Sequence, residues 1–477
     1  MSERAAARGL WWLLAVAATQ YLWNAAAQPG FWGYDEGGHA GYALALREGG
    51  LPHPLSGWSS FHPPLAHALA ALVWTALEPL GPRAALAGMR AVSGFGVLLA
   101  GACVFPLARR LGAPPATALS ASALALFVPV AQLSASMLGN EGLLAGLCAA
   151  ALLAVVELHE DPTRRGAAAR AGILTGLALL TKYSGAWLLA ACALPFLRRD
   201  LGRSGIGAAA LCLGSALLLA SPLYLRNLAL TGTPVPMTRE LEPMRSQEAR
   251  LYAGPRRPSD YLRVPWDCGL HPYAMVVVDG RWAGVHEPMR SVPCAVYTGA
   301  WFDAFGLRVE RQQGSEGIGW ATALLTLGVV PTLLLVLGFG LSLWRAVRSG
   351  GRAREAPLVA MSLLGAASFA AFTWIAPSLA AVKAAYLLPL LAPAGAFFGL
   401  GAALLGSRVR RAALAVSLAA AALAAWVFTT GAVFPPADPA RSLAYWTAIG
   451  RQLPDSRVAE AASRLLGGAA TLSPAAE

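Results

Sequence analysis

Charge is what this chain has least of. Only 13% of its residues are Asp, Glu, Lys or Arg, against 56% hydrophobic, where a soluble domain carries about a quarter charged. That shortage excludes a water-soluble enzyme of this length. Apolar stretches recur from residue 9 to residue 432, and each could span a bilayer. Lysine is scarcer still: Lys182 and Lys383 are the only two among 37 Lys and Arg. No basic patch is interleaved with aromatics, so the net charge of +12 does not point to nucleic acid. Cysteine is sparse. Cys103, Cys148, Cys192 and Cys212 lie in apolar runs as packing residues. Cys268 and Cys294 share the one long polar loop and could pair if that loop is outside. Neither a soluble-domain repeat nor a low-complexity linker divides the chain.

What is present is a chain of apolar runs punctuated by arginine. Arg109-Arg110, Arg164-Arg165, Arg198-Arg199, Arg345 to Arg354 and Arg408 to Arg411 fall between the runs, and the positive-inside rule puts each cluster in the cytoplasm. The first run, Gly9 to about Ala27, has the Arg4 and Arg8 flank of a signal peptide. It is long enough to span and more spans follow, so it reads as a retained helix with a cytoplasmic N-terminus. The expectation is an all-α polytopic membrane protein of about 11 transmembrane helices, at roughly 9–27, 84–107, 115–137, 141–158, 168–182, 184–197, 205–223, 318–344, 357–377, 384–405 and 412–432. The members at 168–197 are short. Residues 1–230 form an N-terminal module whose first external loop is 28–83. An external polar segment (231–317), C-terminal spans (318–432) and an external tail (433–477) follow, the tail with an amphipathic helix near 440–466. The stretch 65–80 is apolar but short, and Gly81-Pro82 stops it, which suits a helix lying in the interface.

In "FWGYDEGGHA" (31–40), Asp35 and Glu36 stand beside the first span. A carboxylate at the bilayer edge is costly unless solvated, paired or used. Asp35 fits the N-cap of a helix from Glu36 to about Arg47, and it equally fits a general base facing a membrane-plane cavity. His39 lies one turn later, as a partner to Asp35 or part of a metal site. In "FHPPLAH" (61–67) the two prolines hold His62 rigidly before a helix start. Asn140 and Glu141 in "SMLGNEG" read as an ordinary polar connection or as substrate contacts. Lys182, Lys383 and Arg226 all fall at outer ends of spans. A compact ammonium there binds a phosphate as a point charge, or snorkels to the interface. Tyr297, Trp301 and Phe302 read as an aromatic belt before the next span, with sugar stacking the alternative.

"YDEGGHAGYALAL" followed by "FHPPLAHALAAL" resembles the first external loop of the protein O-mannosyltransferase type of GT-C glycosyltransferase. "LLTKYSG" and "YLLPLLAP" are similar to stretches of the family-39-like bacterial membrane glycosyltransferases, the clan that includes aminoarabinose transferases. Many bacterial relatives have an Arg just before the Tyr of the second stretch, where this chain has Ala385. The resemblance implies a GT-C fold and transfer of a sugar from a polyprenyl-phosphate donor to an acceptor hydroxyl, usually with inversion. It implies Asp35 as catalytic base, with Glu36 as partner or second choice. Lys182, Lys383 and Arg226 would hold the donor phosphate, and His39, His62, Asn140, Glu141, Tyr183 and Tyr386 would orient substrate. The scheme requires no cofactor, although a divalent metal stays open. The partners would be the polyprenyl-linked donor, a lipid, glycan or protein acceptor, and membrane lipids, with the site on the external face of a bacterial inner membrane. A secondary transporter and a non-catalytic membrane scaffold are the competing classes; no second copy of the opening motif supports a transporter.

Overall fold

The computed structural model describes residues 1–197, 202–237, 255–265, 267–268, 275–278, 281–285, 290–302, 315–433, 439–452 and 454–470. A bilayer offers backbone amides no water, so a chain this apolar must satisfy them inside helices. The elements are α1 (Glu3–Ala27), α2 (Glu36–Glu48), α3 (Leu65–Leu77), α4 (Pro82–Arg110), α5 (Pro115–Phe127), α6 (Pro129–Ala135), α7 (Glu141–Glu160), α8 (Arg165–Leu179) and α9 (Trp187–Ala193). They continue with α10 (Arg203–Thr231), α11 (Ser259–Leu262), α12 (Val292–Trp301), α13 (Ser315–Arg348), α14 (Ala356–Ile375), α15 (Leu391–Ala403), α16 (Ser407–Val427), α17 (Pro439–Gln452) and α18 (Val458–Ala470). Strands β1 (Met275–Val278) and β2 (Arg281–Val285) pair antiparallel as a ribbon in the polar loop. The fold is all-α and polytopic, as expected.

Eleven spans are not what the helices show. Among the described residues seven helices are long and apolar enough to cross a membrane, or eight if α5 and α6, bent by 55°, count as one. Pro129 opens α6 and cannot continue the α5 hydrogen-bond ladder. Helix α1 is long enough but less apolar, because it carries Gln20 and Asn24, which bond the end of α16: Gln20 donates to the Ala425 carbonyl at 2.6 Å and Asn24 to that of Phe428 at 2.9 Å. The run 168–197 breaks at Lys182, whose backbone is extended. Helix α8 has 15 residues, about 22 Å at 1.5 Å per residue, short of a bilayer core of about 30 Å. The stretch 65–80 is the short helix α3 with a 3₁₀ turn, Glu78–Leu80, and ends at Gly81, whose φ of 97° suits glycine.

Helix α4 is central, with α1, α3, α5 and α7 packed around it. It meets α7 backbone to backbone. A Cβ at Gly96 would collide with the Gly142 carbonyl, and one at Gly146 with that of Gly96, the small-residue contact that lets membrane helices approach closely. The arginine clusters gather at one pole. There Arg110 pairs with Glu157 (2.8 Å) and Glu160 (2.9 Å), Arg170 with Glu157 (2.6 Å), Arg354 with Glu160 (3.4 Å) and Arg345 with Glu355 (2.8 Å). Arg198-Arg199 lie outside the described residues. The other pole carries α2, α3, Lys182 and Lys383. The tail folds onto it as two helices, broken at Pro454–Ser456, in place of the one expected. There Val458, Ala461, Leu465 and Leu466 pack on Phe31, Ala40, Ala43 and Leu44.

Replacing Gly96 by Ala forces α4 and α7 apart and lowers the melting temperature in detergent. Gly207→Ala, in α10 with open space around the new methyl, leaves it unchanged or raises it, since alanine gains about 1 kcal/mol over glycine in a helix. Equal melting of the two variants would contradict the close contact.

Candidate active site

Residues 28–36 reverse the chain between α1 and α2, and a buried guanidinium holds the reversal. Arg90, on α4, is 1% exposed. Its Nε and Nη2 donate to the two oxygens of Glu36 at 2.9 Å each, and its remaining donors reach the carbonyls of Ala25, Gln28 and Pro29 at 2.6–3.0 Å. Glu36 also accepts from the amides of Gly33 (3.1 Å) and Leu138 (2.7 Å). Four hydrogen bonds leave no open lone pair on a carboxylate that is fully buried. Glu36, expected as partner or second-choice base, has both oxygens engaged by Arg90 and the two amides. Two successive helical residues point different ways, and Glu36 points into the bundle while Asp35 faces a cleft.

Asp35 stands at the N-cap position of α2 but makes no capping bond through its side chain. Its carboxylate instead accepts from Trp58 Nε1 at 3.0 Å and faces Lys383 Nζ at 3.3 Å. The backbone at Asp35 is left-handed, φ 56°, a conformation that persists in a non-glycine residue only when its surroundings over-determine it. Burial alone would raise the Asp35 pKa, but the charge of Lys383 and the hydrogen bonds from Trp58 and Lys383 override it and hold the group below the usual carboxylate range. For Lys383 burial works to lower the pKa, and the Asp35 charge reverses this and raises it. Both groups are charged at neutral pH.

The cleft is narrow and lined by Tyr34, Asp35, His39, Glu141, Lys383 and Tyr386, among others. Lys182 donates to Glu141 Oε1 at 2.6 Å. The two ammoniums flank one ring: Lys182 Nζ lies 4.6 Å and Lys383 Nζ 5.7 Å from the Tyr386 centroid, within cation–π range. The structure thus brings Asp35, His39, Glu141, Lys182, Lys383 and Tyr386 together. Beside them, His39 Nδ1 and His67 Nε2 share a hydrogen bond of 2.8 Å, and His62 stacks on both rings. Burial lowers the pKa of all three imidazoles, so they are neutral in a neutral medium. Among the described residues no group of three or more His, Cys, Asp or Glu is arranged to hold a metal.

Other expected residues lie elsewhere. Arg226 donates to the carbonyls of Leu51 (3.0 Å) and Pro52 (2.9 Å) and does not line the cleft. It braces the first external loop where phosphate binding was expected. Tyr183 likewise donates to the Phe61 carbonyl at 2.5 Å. Asn140 is fully buried behind Glu141 and is absent from the cleft lining. Cys268 and Cys294 are bonded to each other. With Phe369 and Val382 they form a small core beside Lys383 and Tyr386. Trp301 and Phe302 are buried, one bonded to Thr332 and the other packed on Phe428, and Tyr297 bonds the Leu325 carbonyl. They are neither an exposed belt nor a stacking platform. Sequence reasoning missed Arg90, Trp58, Tyr34 and His67. Of these only Arg90 carried a signal, a lone charge inside an expected span.

The resemblance drawn from the opening loop is shared by a family model. Residues 62–224, less than half of the chain, match the model described as dolichyl-phosphate-mannose-protein mannosyltransferase. No curated protein matches the chain. Among solved structures it is similar to ArnT from Cupriavidus metallidurans in the apo state, at 16% identity and TM-score 0.49, covering 98% of this chain and 79% of that one. The same protein bound to undecaprenyl phosphate gives 16% and 0.45, covering 96% and 78%. The Archaeoglobus fulgidus oligosaccharyltransferase in complex with Zn and sulfate gives 15% and 0.49, covering 91% of this chain but only 55% of that one.

Arg90→Ala leaves the buried Glu36 charge without a counter-ion, at a cost of about 3–5 kcal/mol, and depletes folded protein in membranes. Asp35→Asn, at the partly exposed neighbour, melts close to wild type. Comparable melting of the Arg90 variant and wild type would refute the anchoring role.

Proposed function

We propose that the chain is a membrane glycosyltransferase that moves a sugar from a polyprenyl phosphate to an acceptor hydroxyl, with inversion and with Asp35 as general base. The observation that carries the reading is a cleft lined by the ionised Asp35 and Lys383, with Lys182 beside it against Glu141 and the Tyr386 ring. The family match, to enzymes described by a dolichyl-phosphate sugar donor, supports the donor class.

The chemistry asks for those groups. The bond between the sugar's anomeric carbon and the phosphate oxygen breaks, and the phosphate leaves with the electron pair. A phosphate monoester is a weak base, so cations rather than an acid stabilise it. Lys182 and Lys383 supply them. The acceptor oxygen attacks the anomeric carbon from the other side, and its proton passes to Asp35. Without donor, Glu141 and Asp35 serve as counter-ions to the two lysines. An arriving phosphate takes over that role and releases Asp35 toward the acceptor. The imidazoles of His39, His62 and His67 present neutral hydrogen-bonding groups beside the reacting centre. The site lies at the pole opposite the arginine clusters, and the positive-inside rule supports an external face for it. The acceptor is a lipid, glycan or protein hydroxyl brought to that face.

Transfer from a labelled polyprenyl-phosphate sugar, in membranes with matched expression, tests the reading. Asp35→Asn falls by ~100-fold or more, the range for losing a general base. Lys182→Ala raises the donor KM while the acceptor KM holds. Equal transfer by Asp35→Asn and wild type would remove the base assignment, and no transfer by wild type across a donor panel would remove the glycosyltransferase reading.

The pH profile carries a second prediction. Because the folded pKa of Asp35 is held below the ordinary carboxylate value, the base stays ionised and the rate stays level as pH falls from neutral, dropping only below the usual carboxylate range. Lys383→Ala removes the cation that holds it there, so the acid limb moves to higher pH. An unmoved limb would show that another group titrates.

A further inference from the structure

Trp58 donates the hydrogen bond that fixes Asp35, yet it lies in residues 51–63, a stretch with no helix or strand. Nothing in its own element sets its ring. Its Cβ and Cδ1 lie against Gly38 of α2, and the edge that meets its ring comes from the far end of the chain. Trp446, on α17, is 5% exposed and packs edge-on against Trp58, centroids 5.9 Å apart at 84°, and against Phe31 at 6.4 Å and 88°. Its ring also fills the place a side chain on Gly37 would need, two residues after Asp35. The turn before α18, and α18 itself, complete the seat. Ser456 fills the space beside Gly41 and Gly57, and Arg457 and Arg464 both pair with Glu48 at the end of α2.

We propose that Trp446 is a positioning residue for Asp35, acting through the Trp58 ring, so that the tail hairpin α17–α18 is a working part of the catalytic loop. The inference rests on the reading of Asp35 as general base. The groups that face Asp35 are Lys383 and His39 together with the Trp58 N–H. Only the last depends on the tail. Withdrawing the Trp446 edge lets Trp58 rotate and takes the N–H off Oδ1, while the lysine and the imidazole stay in place.

The test uses the full chain in detergent and a readout that needs no activity. A water-soluble carbodiimide labels the protonated Asp35 carboxyl, which is 36% exposed, and peptide mass spectrometry follows labelling against pH. In Trp446→Ala the labelling midpoint moves to higher pH, as it does in Trp58→Phe, which removes only the N–H. In Trp446→Phe, which keeps an aromatic edge, it stays near wild type. In the transfer assay kcat of Trp446→Ala drops ~10-fold to ~100-fold with donor KM unchanged, as for a displaced catalytic group. Trp446→Leu keeps apolar volume and carries the same expectation if the alanine variant does not fold. An unmoved midpoint in Trp446→Leu or Trp446→Ala, with Trp58→Phe shifted, overturns the proposal, and so does an unmoved midpoint in Trp58→Phe. Full transfer by Asp35→Asn would sink the base reading instead and leave the labelling result standing.

Discussion

Five N–H donors of one arginine decide where this site can be. Arg90 spends two of them on Glu36 and the others on the carbonyls that end α1 and begin the reversal. A guanidinium in the bundle interior tolerates no unfilled donor, so the backbone from Ala25 to Glu36 has little freedom. Leu138, before α7, is drawn into the same knot by its amide on Glu36. The residue next to Glu36 inherits a fixed position, and its left-handed backbone is the strain that this frame sustains, of order 1–3 kcal/mol. A loop at a membrane surface thereby acquires the rigidity that placing a catalytic carboxylate demands.

The cleft beyond that frame is balanced in charge. Asp35 with Lys383 and Glu141 with Lys182 make two pairs on either side of one phenol ring. A planar, multiply donating arginine beside Tyr386 would seek several fixed acceptors; an ammonium accepts whichever anion arrives. The 35 other cations of the chain are arginines, and those at the opposite pole hold helix ends together in extended ion pairs. The two kinds of cation are thus divided by task.

Much of this was legible in the sequence for specific reasons. Scarcity marked Lys182 and Lys383, and chemistry at the first span's mouth marked Asp35. The structure joins Asp35 to Lys383 across 348 positions. The helix begun at Glu36 and the stop at Gly81 followed from local rules. The rest depended on tertiary partners. Glu36 looked equivalent to Asp35 because adjacency in a sequence says nothing about which side of a helix start each faces. That Arg226 bonds the carbonyls of Leu51 and Pro52 could not be read locally either. That the glutamine and asparagine of α1 meet α16 could not be seen in the sequence. Nothing local connected Trp446 with Trp58.

The Cys268–Cys294 bond sits against Val382, one residue from Lys383. Thiols couple in oxidising compartments and stay apart in reducing ones. The carboxylate side of the cleft is built by packing and ion pairing and is complete as soon as its helices meet. The cation arm needs an oxidant as well. Two molecules of identical sequence can therefore differ in maturity: one finished, the other carrying its Arg90 anchor and Asp35 but lacking the covalent brace beside Lys383. The thiol–disulfide state of the surroundings decides which is made.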